Sequence, residues 1–465
     1  MSDGPDFSVR IDQNRYLPEG GQDVHAIVTV TAEGSEPNSG PGRITAEGPA
    51  AGPDAAEVII IDTSGSMTGP GDKIGAAKRA AQAAIDTLRD GVNFAIIAGA
   101  NTARMVYPNM RRLVPVTDRS RAEAKAAVRL LTPDGGTAIG QWLRLADAML
   151  GQHPQAIRHA ILLTDGKNQH ERPEVLDATL GACAGHFVCD CRGVGTDWSV
   201  PELRKVASAL LGSVDLIANP DDLEADFRAM AQTSMGKAVA DVALRVWIPQ
   251  GARLRFVKQV LPTVEDLTGK RTDSGPQSGD YPTGAWGDET RDYHICVEVP
   301  PGDVGREMRA AWVKVVASGP AGEEVRASGN VLAEWTADEA MSTQINPHVA
   351  QYTGQEELAE AIQEGLAARR DGDVDTATTR LGRAVALAHE TGNEGTARLL
   401  SRVVDVIDVE SGTVRLKPKV AQADEMSLDT RSTRTVRTRG RAEPAGSGPD
   451  APPQAGPPGS PAGGR

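Results

Sequence analysis

The sequence predicts a mixed α/β protein whose central part is a doubly wound parallel sheet. Residues 58–230 alternate short apolar runs with segments of helical period, the pattern of a sheet covered by helices on both faces. Residues 6–32 and 239–335 change to a period of two, which is typical of half-buried antiparallel strands. Helical period returns over 338–409. We therefore expect an all-β sandwich and a C-terminal helical module beside the α/β domain.

Length and charge limit the classes of function. A chain of 465 residues has room for roughly two to four domains. Its formal net charge of −14 argues against nucleic acid as a partner of the whole protein, because phosphate contacts need a basic face. The N-terminus has no apolar core of signal-peptide length, and no stretch approaches eighteen consecutive apolar residues. We expect a cytoplasmic protein without a membrane partner.

Four cysteines are too few for a disulfide scaffold in a chain of this length. A zinc site between Cys183 and Cys191 is the alternative, but Cys-x-Cys is not the usual ligand spacing. Cys189 and Cys191 fall on one face of a predicted strand, where free cysteine behaves as a small hydrophobe. We expect them to lie in the core.

The N-terminal segment, 1–50, is interpreted as strands followed by a linker. Phe7, Val9 and Ile11 alternate with polar neighbours, and a β-branched run follows at Val24–Val30. The stretch Gly34–Pro53 is rich in Gly, Pro and Ser and predicts a long loop. Our hypothesis is that these strands join the sandwich of residues 236–336, which makes the α/β domain of residues 55–232 an insert.

The elements of the α/β domain follow from its apolar runs and helical periods. The predicted strands are Val58–Ile61, Phe94–Ala98, Ile161–Leu163 and Phe187–Val194. The predicted helices are Lys73–Leu88, Arg119–Leu131, Ala138–Leu150, Pro173–Cys183, Pro201–Leu210 and Asp222–Met230.

The helical module, 338–410, has apolar stripes at helical spacing. Leu358, Ile362 and Leu366 form the first stripe, a second begins at Ala377, and a third helix is predicted through Leu399–Val406. The pair resembles a tetratricopeptide hairpin, but only one repeat length is present, which favours a plain helical cap.

From residue 420 to 465 the chain is predicted to be a disordered tail. Its threonines are interleaved with arginines, and a Pro/Gly/Ala-rich end without apolar anchors follows. Such a segment is accessible to a kinase, so we name four candidate phosphorylation sites, the alternative being an unmodified solubilising tail. They are Thr430, Thr433, Thr435 and Thr438.

The segment that carries chemistry follows the first strand of the α/β domain. There an apolar run ends in an aspartate, and two serines follow around a glycine. Two further loops, one opening a helix and one after a strand, belong at the same sheet edge, where open parallel sheets place ligands. Together the three loops would bring five polar side chains close to one another: Asp62, Ser64, Ser66, Thr137 and Asp165.

These oxygen donors suit a hard cation such as Mg²⁺, which takes six oxygens and keeps several waters. Hydroxyl groups would contact the ion directly, and the carboxylates would hold its waters. Such an ion is left incompletely neutralised, so it attracts an acidic group. The predicted partner is therefore a protein that presents an Asp or Glu carboxylate.

The motif Asp62-Thr-Ser64-Gly-Ser66 resembles the Asp-x-Ser-x-Ser signature of the von Willebrand factor type A (VWA) and integrin inserted-domain family. The helix start at Lys73 and the strand end Leu-Leu-Thr-Asp165-Gly are similar to that family as well. The resemblance covers about residues 55–232. It implies a metal-ion-dependent adhesion site with Mg²⁺ or Mn²⁺, in which Ser64, Ser66 and Thr137 are hydroxyl ligands and Asp62 and Asp165 act largely through water.

The same resemblance suggests where such a protein works. Bacterial proteins of this kind often accompany Ser/Thr kinases and forkhead-associated domains, which suggests that the tail docks when phosphorylated. We expect an interaction scaffold in a signalling system rather than an enzyme. An auxiliary subunit of an AAA-type ATPase machine is the first alternative.

A metal-dependent hydrolase is the second alternative, with little in the sequence to favour it. Ser66 is out of frame with the nucleophile-elbow pattern Gly-x-Ser-x-Gly. His159 and His170 lie near the predicted strand and are expected on the surface or in loops. The remaining interpretation is that Asp62 and Ser64 only cap the turn that follows the strand.

Overall fold

The computed structural model describes residues 4–34, 54–69, 72–319 and 322–437. Within them the strands are β1 Asp6–Gln13, β2 Tyr16–Leu17, β3 Asp23–Glu33, β4 Ala55–Asp62, β5 Asn93–Gly99, β6 Ala103–Tyr107, β7 Val114–Pro115, β8 Ile157–Thr164, β9 Val188–Val194, β10 Val214–Ile217, β11 Val239–Trp247, β12 Arg253–Leu261, β13 Glu265–Asp266, β14 Thr272–Gly275, β15 Ser278–Trp286, β16 Glu289–Glu298, β17 Glu307–Gly319, β18 Gly322–Trp335, β19 Val404–Asp408 and β20 Thr413–Leu416. The helices are α1 Lys73–Thr87, α2 Asp118–Arg129, α3 Ile139–Leu150, α4 Pro173–Cys183, α5 Val200–Ala209, α6 Leu223–Met235, α7 Glu339–Ser342, α8 Pro347–Asp371, α9 Val374–Glu390, α10 Glu394–Val403 and α11 Gln422–Arg431.

The α/β domain is built on one mainly parallel sheet with the strand order β10-β9-β8-β4-β5-β6, and β7 also pairs with β5. Strands β10, β9, β8, β4 and β5 run parallel, whereas β6 and β7 are antiparallel to β5. All eight residues of β4 are buried, because α1, α2 and α6 cover one face of the sheet and α3, α4 and α5 cover the other. The predicted doubly wound fold is confirmed. The short strands β6, β7 and β10 were not predicted.

A two-sheet sandwich contains strands from both sides of the α/β domain. Its sheets have the orders β1-β3-β16-β12-β13 and β14-β15-β11-β17-β18-β2, and their inner faces form one apolar core. Strand β3 pairs with β16 along its whole length, and β2 runs parallel to the end of β18. The α/β domain therefore lies between β3 and β11 in the chain, as an insert in the sandwich.

The two connections of the insert lie at the same edge of its sheet. The chain comes into the domain at β4 and leaves it after α6, and Ser234 near the end of α6 donates a hydrogen bond of 3.0 Å to Glu57 Oε2 near the start of β4. This edge is the amino-terminal edge of the parallel strands. The loops that carry the candidate site lie at the opposite, carboxyl edge.

The helical module packs on the outer face of the five-stranded sheet. Tyr352 and Val349 of α8 lie against Ile27 and Val260 of the sandwich. The predicted third helix, Leu399–Val406, is wrong at its end. Helix α10 ends at Val403, and the β-branched residues that follow form β19 in a hairpin with β20.

The C-terminal segment departs most from expectation. The predicted disorder from residue 420 is wrong for residues 422–437, since α11 covers the edge strand β10 and the chain beyond it stays hydrogen-bonded to the sandwich. Met426 and Leu428 are buried there, and three arginines of the segment pair with Asp215 and Asp292. Such contacts anchor a segment that composition alone marks as polar.

The burial of this segment also affects the candidate phosphorylation sites. Thr430 is only 2% exposed, so the expectation of an accessible threonine is wrong at this position. The backbone oxygen of Thr433 accepts from Val264 N at 2.8 Å, and Thr435 Oγ donates to Val260 O at 2.6 Å. Thr438, the rest of the tail to residue 465 and most of the Gly34–Pro53 linker lie outside the described residues.

Two further expectations concern the cysteines and the membrane. All four cysteines are free and buried, and Cys189 and Cys191 lie in the core of the α/β domain. In the part of the chain that the structure describes, no helix is long and apolar enough to span a bilayer.

Candidate metal site

Two neighbouring parallel strands bring the acidic residues of the candidate site together. Asp62 is the last residue of β4, and Asp165 directly follows β8. The register pairs Ile61 with Leu163, so the strands end side by side. Both carboxylates are fully buried. This arrangement is the one expected for the carboxyl edge of an open parallel sheet.

Backbone hydrogen bonds fasten the three loops to one another. Asp134 N donates to Thr63 O at 2.6 Å and Gly65 N to Gly135 O at 2.9 Å, which ties the first loop to the second. The second and third loops are tied by His170, whose Nδ1 accepts from Thr137 N at 3.1 Å and whose N donates to Thr137 O at 3.0 Å. His170 therefore positions the threonine rather than lying free in a loop.

The hydroxyl groups of the site form a continuous row beside Asp165. Ser64 Oγ lies 3.0 Å from Ser66 Oγ, and Ser66 Oγ donates to Asp165 Oδ1 at 2.6 Å. A Cβ added to Gly166 would stand 3.0 Å from Thr137 Oγ1 and 3.4 Å from Ser66 Oγ. Only a glycine leaves this space open, and the hydroxyl groups of two different loops border it.

Asp62 has partners on both of its oxygens. Its Oδ1 accepts from Ser64 N at 2.7 Å, and its Oδ2 accepts from Thr164 Oγ1 at 2.5 Å. Burial nevertheless raises the pKa of Asp62 to about 6, against the effect of these hydrogen bonds. Thr164 was not predicted as a site residue, although it directly precedes Asp165 in the run Leu-Leu-Thr-Asp165. Threonine is common in strands, so its presence at the end of one did not indicate a function.

Lys73 is the second residue that was missed. Its Nζ donates to Asp165 Oδ2 at 2.7 Å and lies 3.4 Å from Asp197 Oδ2. The side chain is 8% exposed, which is unusual for a lysine. Two signals in the sequence pointed to this lysine: its position at the first turn of α1, where a cation opposes the helix dipole, and the similarity of this helix start to the VWA family.

The donor set fits a hard divalent cation better than a soft one. Among the described residues, no group of three or more His, Cys, Asp or Glu side chains could hold a metal. Any ion at this edge therefore depends on hydroxyl oxygens together with Asp62 and Asp165. An all-oxygen set, with two buried carboxylates beside a space that a methyl group would fill, is the chemistry that Mg²⁺ or Mn²⁺ accepts.

Of the two histidines considered for catalysis, His170 is exposed in a turn after β8, as expected, and its Nδ1 accepts from Thr137 N. His159 is buried between Glu57 at 2.8 Å and Asp190 at 3.0 Å, so its expected surface position is wrong. It belongs to the amino-terminal half of β8, away from the carboxyl edge. Both ring nitrogens of His159 have a carboxylate partner, so this side chain is not a free base.

Comparisons with known families agree with the fold. A model of the von Willebrand factor type A domain matches residues 56–215, and a model of the von Willebrand factor type A C-terminal domain matches residues 386–432. A comparison with the curated proteins gives no match.

Solved structures extend the similarity over nearly the whole chain. A von Willebrand factor type A protein from Catenulispora acidiphila is 50% identical, covers 94% of this chain and 98% of its own, and has a TM-score of 0.88. The ArnB paralog VWA2 from Sulfolobus acidocaldarius shares the fold, with 14% identity over 92% of this chain and 98% of its own and a TM-score of 0.53. Human COPII-coat protein Sec24c shares it at 10% identity and a TM-score of 0.50, over 84% of this chain and 58% of its own.

The full-length similarity to the Catenulispora protein and the match of the α/β domain lead to the same assignment. This chain belongs to the von Willebrand factor type A family.

Proposed function

We propose that the protein binds other proteins through a divalent cation, Mg²⁺ or Mn²⁺, held at the carboxyl edge of its parallel sheet. The observation that carries this proposal is the convergence of three loops on one open space, with hydroxyl oxygens on its border and buried carboxylates behind them. VWA domains are commonly metal-dependent interaction modules and are generally not enzymes, which supports the same proposal.

Each residue has a defined part. Ser64, Ser66 and Thr137 present neutral hydroxyl oxygens to the ion, whereas Asp62 and Asp165 hold water molecules around it. When bound, the dication supplies a Lewis-acidic position at which a carboxylate can coordinate. Because the direct protein ligands are neutral, much of the positive charge stays available for an Asp or Glu of the partner.

The setting proposed is the cytoplasm, since four free, buried thiols suit a reducing compartment. A Ser/Thr kinase and a forkhead-associated partner are not part of the proposal, because Thr430 is buried and Thr435 is hydrogen-bonded to the sandwich. No contact among the described residues favours an AAA-type ATPase or a hydrolytic reaction.

Removal of the two serine hydroxyls tests the proposal. In Ser64→Ala/Ser66→Ala we expect the affinity for Mg²⁺ or Mn²⁺ to fall by about 10- to 100-fold or more. Substitution of residues that only support the metal ligands already costs this much affinity. Calorimetric titration of the full chain with each metal measures the affinity. Circular dichroism should show an intact fold, since the variant removes two hydroxyls and no apolar contact.

Two controls make the result specific. Ser401→Ala/Ser411→Ala removes two exposed serine hydroxyls far from this edge and should leave metal binding unchanged. A pull-down with wild type and the site variant, with and without chelator, should recover metal-dependent partners only with metal-loaded wild type. The proposal fails if the folded wild type takes up neither metal, or if the recovered proteins are identical.

A further inference from the structure

A buried ammonium group lies against one of the two carboxylates of the candidate metal site. Lys73 Nζ contacts Asp165 Oδ2 at 2.7 Å, and the other oxygen of that carboxylate accepts from Ser66 at 2.6 Å. Asp165 is thus shared between a candidate metal ligand and a fixed cation. Neither side chain has much access to water, with exposed fractions of 8% for Lys73 and 0% for Asp165.

The position of Lys73 is not explained by the stability of its helix. It is the first residue of α1, where a positive charge opposes the helix dipole. Burial of a lysine side chain costs free energy as well, unless the ammonium is paired. The benefit of this lysine must therefore lie in what it does to Asp165 and its surroundings.

Lys73 changes the net charge of the buried groups by one unit, whether or not the ion is bound. Asp62 and Asp165 contribute two negative charges and Lys73 one positive charge, so the buried groups sum to −1. A dication brings the sum to +1, whereas the same ion with a neutral residue at position 73 would give a sum of zero. In a water-poor site, one charge of this kind strongly affects the binding of a further ion.

We infer that Lys73 determines the specificity of the metal site, by weakening its hold on the cation while keeping the loaded site positive enough to select a carboxylate. This inference rests on the proposed function and deepens it. The ammonium group of Lys73 contacts Asp165 and Asp197. It acts through Asp165 and through its charge.

Two neutral variants separate charge from hydrogen bonding. Lys73→Gln can still donate a hydrogen bond to Asp165, whereas Lys73→Met cannot. We expect both to bind Mn²⁺ about tenfold more tightly than wild type in calorimetric titration with the metal alone, because a neighbouring positive charge lowers the proton affinity of a carboxylate by one to three powers of ten and repels a metal cation in the same way. Lys73→Arg keeps the charge and should keep the wild-type affinity.

A second measurement addresses the acidic ligand. Acetate that displaces water from Mn²⁺-loaded protein lowers the water-proton relaxation rate. Half-displacement should need several-fold more acetate in Lys73→Gln than in wild type. Lys78→Gln, which changes a half-buried lysine of the same helix whose Nζ donates to Arg129 O, is the matched control and should behave as wild type in both measurements.

The outcomes distinguish this inference from the proposed function. If wild type binds the metal and both neutral variants bind it equally or more weakly, Lys73 only orients Asp165, and the inference is overturned while the proposed function stands. If folded wild type binds no metal, both are overturned. Tighter metal binding together with weaker acetate binding in Lys73→Gln supports the inference.

Discussion

Replacement of His159 by leucine is expected to lower the free energy of unfolding of the α/β domain by about 3–5 kcal/mol, the usual cost of removing one partner from a buried ion pair. His159 lies between Glu57 and Asp190 and is 6% exposed. Burial alone would disfavour its charged form, but the two carboxylates outweigh burial and raise the pKa of His159 to about 10. Without the imidazolium, the buried Glu57 and Asp190, whose side chain is 22% exposed, lose the cation that lies between them. Urea unfolding at pH 7 measures the loss.

The chain offers a matched control in His186. Its Nδ1 lies 2.9 Å from Asp147 Oδ1, but the histidine side chain is 52% exposed. An exposed ion pair contributes at most about 1 kcal/mol, so His186→Leu should change the stability little. Equal losses for the two variants would contradict the role assigned to burial.

The same histidine predicts a pH dependence with a defined sign. Its pKa is higher in the folded protein, at about 10, than its ordinary value of 6.5. The stability that it contributes is therefore fully present below pH 6.5 and is lost as the pH rises through 10. The difference in unfolding free energy between wild type and His159→Leu should shrink steadily from pH 7 to pH 10. A difference that stays constant over this range would exclude a charged His159.

Truncation within the C-terminal segment is expected to have an effect of similar size. A chain ending at residue 421 should be less stable than one ending at 437 by about 3–6 kcal/mol, because Met426 and Leu428 each bury apolar surface worth about 1.5–3 kcal/mol. The loss of Arg434 and Arg437 also leaves Asp215 and Asp292 without their cations.

Comparison of the two truncated chains isolates residues 422–437, since both lack the same tail beyond them. Thermal unfolding gives the difference in stability, and hydrogen exchange should show faster exchange in β10, the edge strand that α11 covers. Identical unfolding midpoints and identical exchange in β10 would mean that the packed segment contributes nothing.

The fold of the α/β domain could be predicted because its signals are local. The predicted strands Val58–Ile61, Phe94–Ala98 and Ile161–Leu163 are uninterrupted apolar runs, and the spacing between runs fits a crossover helix. Asp62, Ser64 and Ser66 lie in one short segment, so their proximity needed no tertiary information. Thr137 and Asp165 could be added because strand-end loops of a parallel sheet share one edge.

Long-range charge pairs could not be predicted in this way. Lys73 meets Asp165 across 92 residues and Arg434 meets Asp215 across 219 residues, and neither pattern is visible in a local window. Residues 422–437 were taken as disordered because they hold few apolar residues. They are held in place by the buried side chains of Met426 and Leu428 and by arginines that pair with the buried carboxylates Asp215 and Asp292. The third helix of the C-terminal module was predicted to run too far, because its apolar residues keep a helical spacing up to Val406. The β-branched residues Val404 and Val406 belong instead to β19.

The insertion of the α/β domain has a mechanical consequence. Its first and last segments are joined by the Ser234–Glu57 hydrogen bond at one edge, and Asp62 lies at the other end of β4, five residues beyond Glu57 and therefore about 17 Å away at 3.3 Å per residue. A force applied to a partner bound at the carboxyl edge would be transmitted along β4 and its parallel neighbours to both connections between the insert and the sandwich. The domain would bear such tension as a bundle of strands loaded in shear rather than by peeling one strand after another.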